Sequence, residues 1–257
     1  MMKKILLFSA LFLLTADLAA ARNISVEVVS DNRHIFPTYP VDAHHDTYRS
    51  YLQAERNARY SIRIRNYTDK RIGLVVAVDG RNIISGKQSS LRNTERMYIL
   101  EPYASGTYRG WRTHRNEIRR FYFTDEGGSY AGAWGDYSAM GVIAVAAYAE
   151  QEQAVAMAPA LTSRYSRNSA PGSSGRAAAR MESRAGTGAG EREDSSSGRV
   201  HFTADPYPLE KHLYKYEWRE TLCRKNIIPC NRPHPNPRPN RLWDNGYVQP
   251  PPGRRNW

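Results

Sequence analysis

Short runs of alternating apolar and polar residues dominate the chain between residues 51 and 148. An earlier run covers residues 24–29, where Ile24, Val26 and Val28 share one face. A period of two residues is typical of a β-strand with one buried and one solvated face. The hydropathy pattern therefore predicts a β-rich domain whose first strand lies at 24–29.

The sharpest alternation follows residue 50. Residues 51–54 precede a polar turn at 55–58, and Tyr60, Ile62 and Ile64 then alternate with polar residues. Two alternating runs joined by a short turn predict a β-hairpin. Residues 31–47 contrast with this pattern, because they hold two prolines and three histidines without a period. We predict an irregular connection there.

The remaining runs complete an all-β pattern. Residues 72–78 are apolar on both faces, as in a central or covered strand, and Asp79-Gly80 then predicts a turn. Further strands are predicted at 96–100, 106–111, 118–124 and 142–148. In total the sequence predicts about eight or nine short strands at near-regular spacing. This pattern is typical of a sandwich or barrel. We expect an antiparallel β-sandwich, with jelly-roll and immunoglobulin-like topologies both open.

Composition changes after the last of these strands. Residues 158–198 consist mainly of Ala, Ser, Gly and Arg, which bury too little apolar surface to offset the entropy of ordering, so we predict a disordered linker. Strand patterns return at 200–203 and at 212–218, followed by a short helix from Arg219 to about Lys225. The tail, 231–257, holds seven prolines and five arginines and predicts an extended segment.

Residues 1–21 have the pattern of a cleavable export signal. Lys3 and Lys4 precede an apolar run at 5–14, and small residues end the segment at Ala21. We expect cleavage after Ala21, and an uncleaved anchor is the alternative. The apolar run is shorter than the roughly 20 residues that a membrane-spanning helix needs, so no transmembrane anchor is expected. The predicted location is the periplasm or the cell exterior.

These patterns divide the chain into five segments. They are a signal peptide at 1–21, a β-sandwich domain at 22–157, a linker at 158–198, a returning segment at 199–230 that packs on the β domain, and a Pro/Arg-rich tail at 231–257.

The chain has two cysteines, Cys223 and Cys230. Export permits a disulfide, and we predict that the two pair. The short loop that they close limits the stabilisation to about 2.5 kcal/mol. Zinc is the weaker alternative, because a structural zinc site usually has four ligands.

The chain is basic, with a formal net charge of +12. A basic surface attracts polyanions in general. For an exported chain we expect an envelope protein or an anionic surface polymer as the partner. Nucleic acid is not expected, since no nucleic-acid-binding motif accompanies the charge. Sequence does not indicate the oligomeric state.

Six short strings stand out from the alternating background. They are VAVDGRNIISGK (76–87), MYIL (97–100), GWRT (110–113), RFYFT (120–124), SYAGAWGD (129–136) and KYEWRETLC (215–223). Together they resemble a family of uncharacterised exported bacterial proteins, over about residues 50–150 and 200–230. The resemblance implies an envelope location and no assigned activity.

A basic and aromatic group lies between residues 103 and 137. Aromatic faces beside guanidinium groups suit acidic sugars, peptides or phosphates. The candidate ligand-binding residues are Tyr108, Arg109, Trp111, Arg112, Tyr130 and Trp134. The alternative is structural: aromatic residues of a β-sandwich usually fill the core, and the neighbouring arginines then face water.

Other chemistry has weaker support. His34, His44, His45 and Asp46 have metal-ligand side chains, but adjacent residues of an extended segment point to opposite sides, so we predict no metal and no cofactor. Hydrolase and metalloprotease motifs are absent from the sequence. We predict a non-enzymatic binding module. The alternative is an envelope-glycan hydrolase that uses Asp125, Glu126 and Asp136.

Overall fold

A computed structural model describes residues 22–151 and 184–230 of the chain. The strands in these ranges are β1 (Ile24–Ser30), β2 (Thr38–His44), β3 (Thr47–Ala54), β4 (Arg59–Asn66), β5 (Ile72–Val78), β6 (Arg81–Asn82), β7 (Tyr98–Leu100), β8 (Ser105–Tyr108), β9 (Gly110–His114), β10 (Glu117–Asp125), β11 (Val142–Ala149), β12 (Ala185–Asp194) and β13 (Glu210–Trp218). Two short helices, α1 (Tyr130–Ala133) and α2 (Arg219–Arg224), and one 3₁₀ turn (Glu126–Gly128) complete the described elements.

The strands form two sheets that pack into an all-β sandwich, as the alternation predicted. In the first sheet the order is β1-β4-β10-β12, with β8 paired to β4 and β9 to β10. The second sheet has the order β2-β3-β13-β11-β5-β6, with β7 paired to β5. The β3–β13 pair is parallel, and the other named strand pairs are antiparallel.

The core lies between the sheets, where the inward positions of both meet. Tyr60 on β4 stacks on Phe121 and Phe123 of β10, at ring-centroid distances of 5.2 and 4.3 Å. Tyr216 of β13 approaches Phe123 from the second sheet at 5.2 Å. These four rings are fully buried and join the aliphatic side chains of both sheets in one cluster. Burial of this apolar surface is the main stabilising contribution.

Several predicted elements are confirmed. Strand β5 is buried at all seven positions, as expected of a strand covered on both faces. Strands β1, β4, β10, β11 and β13 and helix α2 also lie where the patterns placed them. The predicted disulfide between Cys223 and Cys230 is present and joins the last turn of α2 to the end of the described chain.

The predicted hairpin over residues 51–64 is wrong. Strand β3 pairs with β2 and β13 in the second sheet, whereas β4 pairs with β1, β10 and β8 in the first. The turn at 55–58 therefore carries the chain from one sheet to the other. Two alternating runs joined by a short turn are compatible with a hairpin within one sheet and also with a connection between two sheets. The local pattern is the same in both cases, because each consists of two strands and a turn.

The predicted irregular connection at 31–47 contains a strand, β2. It lies at the edge of the second sheet and pairs with β3 alone, with a register shift between Pro40 and Asp42. Proline is compatible with an edge strand because its missing N–H can lie on the unpaired side. The prolines that interrupt the alternation in this segment are therefore explained by its position at the edge of the second sheet.

The prediction of a disordered linker over 158–198 is wrong for its last part, where β12 pairs with β10. The small residues of β12 fit their neighbours closely. A Cβ added to Gly186 would lie 2.7 Å from the Cβ of Ser129, and one added to Gly188 would lie 2.2 Å from the ring of Tyr122. The Gly-Ala composition therefore reflects close packing. The predicted strand at 200–203 is also wrong, since Ala204 makes only an isolated bridge to Glu150.

The outer edge of β1 is closed by side chains of β13. Glu210 accepts hydrogen bonds from the backbone N–H groups of Asn23 (3.0 Å) and Ile24 (2.9 Å), and the Tyr214 hydroxyl donates to the Val26 carbonyl (2.8 Å). An edge strand with open N–H and C=O groups can pair with another chain. Here part of that edge is already occupied.

The predicted signal peptide and Pro/Arg-rich tail, together with residues 158–183 of the predicted linker, lie outside the described residues. Among the residues that the structure describes, no helix is long and apolar enough to cross a membrane.

Candidate functional site

The six predicted ligand-binding residues divide into two groups on either side of Trp111. Trp111 lies on β9 with 3% of its surface exposed. Its indole Nε1 donates to the Gly188 carbonyl at 3.2 Å, and its ring packs edge-on against Phe121 at 5.4 Å. Trp111 is therefore a core residue that joins β9 to β12, as the structural alternative expected.

The first group lines a cleft of about 180 Å³, which we call the arginine cleft. Its lining residues are Tyr98, Thr107, Tyr108, Arg109, Gly110, Arg112, Ile118, Glu193, Asp194 and Ser195. Three of the predicted residues, Tyr108, Arg109 and Arg112, thus share one cleft at the ends of β8, β9 and β12.

Arg112 has a structural role in the arginine cleft. Its Nε donates to the Tyr98 hydroxyl at 2.9 Å, and its two terminal nitrogens donate to the carbonyl (2.8 Å) and hydroxyl (2.9 Å) of Ser195. These bonds tie β9 to the segment that follows β12. The guanidinium donors that a ligand would need are already engaged.

Glu193 balances the charge of the remaining arginines near the cleft. It accepts hydrogen bonds from Arg109 (3.1 Å) and Arg120 (2.6 Å). Burial alone would raise the pKa of Glu193, but these bonds hold the pKa below its ordinary value. The carboxylate is therefore ionised at neutral pH. With an acid placed between two arginines, the cleft is a poor receptor for an anion.

The second group lies on a tight turn over residues 129–137, which we call the aromatic turn. Ser129 begins α1: its hydroxyl accepts from Gly132 N at 3.0 Å and donates to the Glu126 carbonyl at 2.7 Å. An N-cap of this kind satisfies donors that the first helical turn leaves unpaired. The start of the aromatic turn is thus fixed by local hydrogen bonds.

Asp136 fixes the end of the aromatic turn. One carboxylate oxygen accepts from the backbone N–H and the hydroxyl of Ser138 (3.2 and 2.7 Å), and the other accepts from the Gln88 amide (2.9 Å). Arg81 lies 3.5 Å away as an ion pair. Burial opposes ionisation, but the hydrogen bonds and Arg81 hold the pKa of Asp136 below its ordinary value. Asp136 therefore remains a charged anchor at neutral pH.

Trp134 protrudes from this supported turn. Its side chain is 64% exposed. The Arg81 guanidinium lies over the Trp134 ring, 5.4 Å from its centroid, and the Tyr130 ring meets it edge-on at 6.4 Å. Tyr130 in turn packs on Trp111 at 4.4 Å. A chain of aromatic contacts thus connects the exposed indole to the core.

Sequence reasoning grouped these six residues by proximity in the chain, and the structure assigns them different positions. Trp111 and Arg112 are engaged in the fold, Tyr108 is half-buried, Arg109 pairs with Glu193, and Tyr130 supports its neighbour. Trp134 is the member that combines large apolar surface with exposure. Their binding role stays a prediction.

The histidines of the possible metal site do not assemble with a carboxylate. The His44 and His45 rings stack at 4.2 Å, while His34 packs near Phe36 at 6.5 Å. Within residues 22–151 and 184–230, the structure has no group of three or more His, Cys, Asp or Glu side chains placed to hold a metal ion.

The carboxylates of the hydrolase alternative have separate surroundings. Asp125 precedes the 3₁₀ turn, Glu126 begins it, and Asp136 anchors the aromatic turn. A general acid in glycoside hydrolysis needs a raised pKa, and the pKa of Asp136 is lowered. Asp136 is thus unsuited to that role.

A buried carboxylate that the sequence analysis interpreted only as part of a turn connects the two sheets. Asp79 follows β5 with 0% exposure, and it accepts from the Tyr216 hydroxyl (2.5 Å) and from the backbone N–H groups of Gly141 and Thr187 (both 2.7 Å). The Thr187 hydroxyl also contacts the hydroxyls of Tyr216 and Tyr60, each at 2.8 Å. We call these four side chains the Asp79 network.

Burial raises the pKa of Asp79 to about 6, although its hydrogen bonds oppose that change. A perturbed pKa often marks a functional site. Here the group is enclosed between the sheets, so its role is structural. One signal was available in the sequence: Tyr60 and Tyr216 fall at inward strand positions, and a buried tyrosine hydroxyl needs a hydrogen-bond partner.

A larger cleft of about 620 Å³ was also missed. It is lined by Asp69, Lys70, Arg71, Pro102, Glu150, Gln151, His201 and Thr203. Arg71 donates to both carboxylate oxygens of Glu150, at 2.8 and 2.9 Å. Arg71 and Glu150, one base and one acid of this cleft, are therefore paired with each other.

The excess of positive charge lies mostly outside the described residues. Residues 22–151 and 184–230 contain 26 Lys and Arg against 21 Asp and Glu, a net charge of +5 out of +12. At least ten of the 21 described acids form ion pairs with Lys or Arg. The sandwich itself is therefore only weakly basic, and attraction for polyanions belongs largely to the rest of the chain.

Comparison with known proteins finds no matching family model, no matching curated protein and no matching solved structure. The resemblance of the six strings to exported bacterial proteins stays a prediction.

Proposed function

We propose that this chain is a non-enzymatic, exported binding module of the bacterial envelope or exterior, and that the aromatic turn is its contact surface. The proposed partner is an envelope protein or an anionic surface polymer. The observation that carries the proposal is the 64% exposure of Trp134 on a turn whose backbone and supporting side chains are held by hydrogen bonds.

An exposed indole on a rigid support is suited to binding. Tryptophan is among the residues that contribute most to binding free energy, because its ring buries a large apolar area. A side chain that is already positioned loses little conformational entropy when a partner covers it. Trp134 meets both conditions, since Arg81 lies over its ring and Tyr130 meets its edge.

The basic segments add a second, less specific attraction. The five arginines of residues 231–257 and the basic residues of 152–183 account for most of the positive charge beyond the sandwich. Positively charged residues raise the local concentration of anionic partners over distances of about one Debye length, roughly 8 Å at physiological salt. The export pattern of residues 1–21 supports an envelope partner.

Replacing Trp134 by alanine is expected to weaken retention of the mature chain, residues 22–257, on an isolated envelope fraction at least tenfold. Loss of a central aromatic contact typically costs about 1.4 kcal/mol or more, which corresponds to that factor. Retention is measured as the bound fraction against envelope concentration at fixed salt.

Tyr207 provides a matched control, because it is 83% exposed and lies outside the aromatic turn. The Tyr207→Ala variant is expected to bind as the wild type does. Equal retention of the wild type and the Trp134→Ala variant, with both folded by circular dichroism, would contradict the proposal.

A further inference from the structure

We infer that the outer face of the first sheet binds the phosphate group of a phosphate ester, at a site made by Arg65 and the two serines that flank it, Ser25 and Ser105. We call these three side chains the Arg65 row. The inference stands apart from the proposed function, because the Arg65 row lies on β1, β4 and β8 and shares no residue with the aromatic turn.

The three side chains of the Arg65 row lie side by side on neighbouring strands. Arg65 on β4 is paired in register with Ser25 on β1 and with Ser105 on β8. Ile24 and Val26 are buried in the core, so Ser25 points outward, because side chains alternate along a strand. Arg65 and Ser105 are exposed. Neighbouring strands lie about 4.8 Å apart, so one serine stands on each side of the arginine.

The charge of Arg65 is not compensated by an acid. Within the residues that the structure describes, its guanidinium forms neither an ion pair nor a hydrogen bond. The neighbouring pair on the same two strands shows the contrast, because Arg63 forms an ion pair with Glu27, which lies opposite it on β1. Opposite Arg65 the residue of β1 is Ser25. A guanidinium with open donors binds phosphate or carboxylate oxygens through paired hydrogen bonds.

An aromatic ring holds the Arg65 guanidinium in place. The guanidinium lies over the ring of Tyr67, 5.3 Å from the centroid. The Tyr67 backbone N–H donates to the Asn23 carbonyl at 2.8 Å, which continues the pairing of β4 with β1. The buried side chain of Asn66 donates to the Lys70 carbonyl at 2.8 Å and so fixes the turn that follows Tyr67. A cation that is already positioned loses little conformational entropy when an anion binds.

The donors of the Arg65 row favour a phosphate over a carboxylate. A carboxylate has two oxygens, and the fork of one guanidinium engages both. A phosphate group has three acceptor oxygens, so it can accept from Arg65 and also from the hydroxyl of Ser25 or Ser105. The turn after Tyr67 holds one acid and one base, Asp69 and Lys70, and so adds no net charge beside the row.

Two variants of equal net charge test the site. Arg65→Gln removes the proposed ligand-binding charge, and Arg49→Gln removes the charge of an exposed arginine on β3 of the second sheet. Binding of glycerol 3-phosphate to a protein that comprises residues 22–257 is measured from the shifts of backbone amide resonances at constant ionic strength. We expect saturable binding by the wild type and by Arg49→Gln, with an affinity about tenfold or more lower for Arg65→Gln.

Substitutions of Ser25 test the geometry of the row. Ser25→Glu places an acid opposite Arg65, as Glu27 lies opposite Arg63, and is expected to lower the affinity for glycerol 3-phosphate at least as far as Arg65→Gln does. Ser25→Ala removes one neutral donor and is expected to lower the affinity about threefold. Far-UV circular dichroism should be unchanged in both variants, because Ser25 lies on the outer face of the sheet.

A second measurement separates the sources of the phosphate group. If retention on phosphatidylglycerol vesicles is weaker for Arg65→Gln than for Arg49→Gln, the ligand is a lipid head group. If the two variants are retained equally but differ in glycerol 3-phosphate binding, the ligand is a phosphate ester outside the lipid. A wild type that does not bind glycerol 3-phosphate, an Arg65→Gln variant that binds it as Arg49→Gln does, or acetate that binds as tightly would overturn the inference.

Discussion

Replacing Asp79 by alanine is expected to lower the free energy of unfolding by about 3 kcal/mol, because two buried backbone N–H groups then lose their acceptor. These groups belong to Gly141 and Thr187, and each lies 2.7 Å from the carboxylate. Thr187 is on β12 and Gly141 immediately precedes β11, so the loss weakens both sheets at once. For a domain of this size, a decrease of that magnitude lowers Tm by roughly 10 °C.

Thermal and urea unfolding of a protein that comprises residues 22–257 measure this effect. Asp46→Ala is the matched control, since Asp46 is exposed, and its unfolding free energy is expected to stay within about 0.5 kcal/mol of the wild type. An Asp79→Ala variant as stable as the control would show that the Asp79 network does not hold the sheets together.

The same carboxylate predicts a pH dependence of stability. Burial raises the pKa of Asp79 to about 6 from an ordinary value of 3.8, so the folded state holds the proton more tightly than the unfolded state does. Binding of this proton therefore stabilises the folded state fully below about pH 4, and this stabilisation is lost as the pH rises through 6. The expected loss is at most about 3 kcal/mol.

The hydroxyls of the network explain how a protonated Asp79 is accommodated. Either partner can donate in the contacts of Thr187 with Tyr216 and Tyr60. When Asp79 is ionised, Tyr216 donates to it; when Asp79 carries a proton, that proton can be donated to the Tyr216 oxygen and the direction of the other bonds reverses. Each hydroxyl then keeps a partner.

Urea unfolding of the wild type and of Asp79→Asn between pH 4 and pH 7 isolates this group. Other described carboxyls, such as Glu95 and Glu210, have lowered pKa values and act in the opposite direction at lower pH. Their effects cancel in the difference between the two proteins. As the pH rises from 4 to 6, the free energy of unfolding of the wild type is expected to fall relative to that of the variant. A difference in unfolding free energy that does not depend on pH would rule out a raised pKa for Asp79.

Replacing Gly110 by alanine is expected to destabilise the sandwich by about 3 kcal/mol, near the upper end for overpacking. A Cβ at this position would lie 2.1 Å from the Arg119 carbonyl oxygen and 2.6 Å from its carbon. Both atoms are backbone of β10, so relief requires the two strands to separate. Trp111 follows directly and supports Tyr130, so we also expect weaker binding through the aromatic turn.

Gly127 is the matched control for this substitution, because a Cβ added there meets no atom within 4 Å. Gly127→Ala is expected to change the free energy of unfolding by no more than about 0.5 kcal/mol. Urea unfolding with detection by far-UV circular dichroism measures both variants. Equal stability of the two would mean that β9 and β10 do not approach as closely as the structure shows.

Strand identity was largely predictable, and strand pairing was not. The alternation at 60–64 correctly located β4, whose inward Tyr60, Ile62 and Ile64 are all fully buried. The same alternation gave no information on the partner, and the predicted hairpin with 51–54 was wrong. Pairing depends on contacts far apart in the chain, such as the parallel pair of β3 and β13. A local pattern does not contain those contacts.

The candidate site shows a similar division. Chain proximity selected Trp134, which is exposed, but also Trp111, which is buried, because hydropathy cannot tell which of two tryptophans a fold will cover. Asp79 was missed as a connecting residue because an Asp-Gly pair predicts a turn whether or not its side chain is buried. The turn itself is confirmed: Asp79 and Gly80 have positive φ values of 49° and 77° between β5 and β6.

The amino-acid sequence by itself determined the β class of this protein, most of its strand positions and its disulfide, because these follow from a two-residue period and from two cysteines close in the chain. Only the tertiary structure decided that β12 completes the first sheet, that Asp79 joins the sheets and that Trp134 stays exposed. The physical reason is that burial and hydrogen bonding are set by neighbours brought together from distant parts of the chain. In the sequence alone, the glycines of β12 indicate disorder. In the structure the same glycines allow close packing, because Tyr122 and Ser129 lie against them.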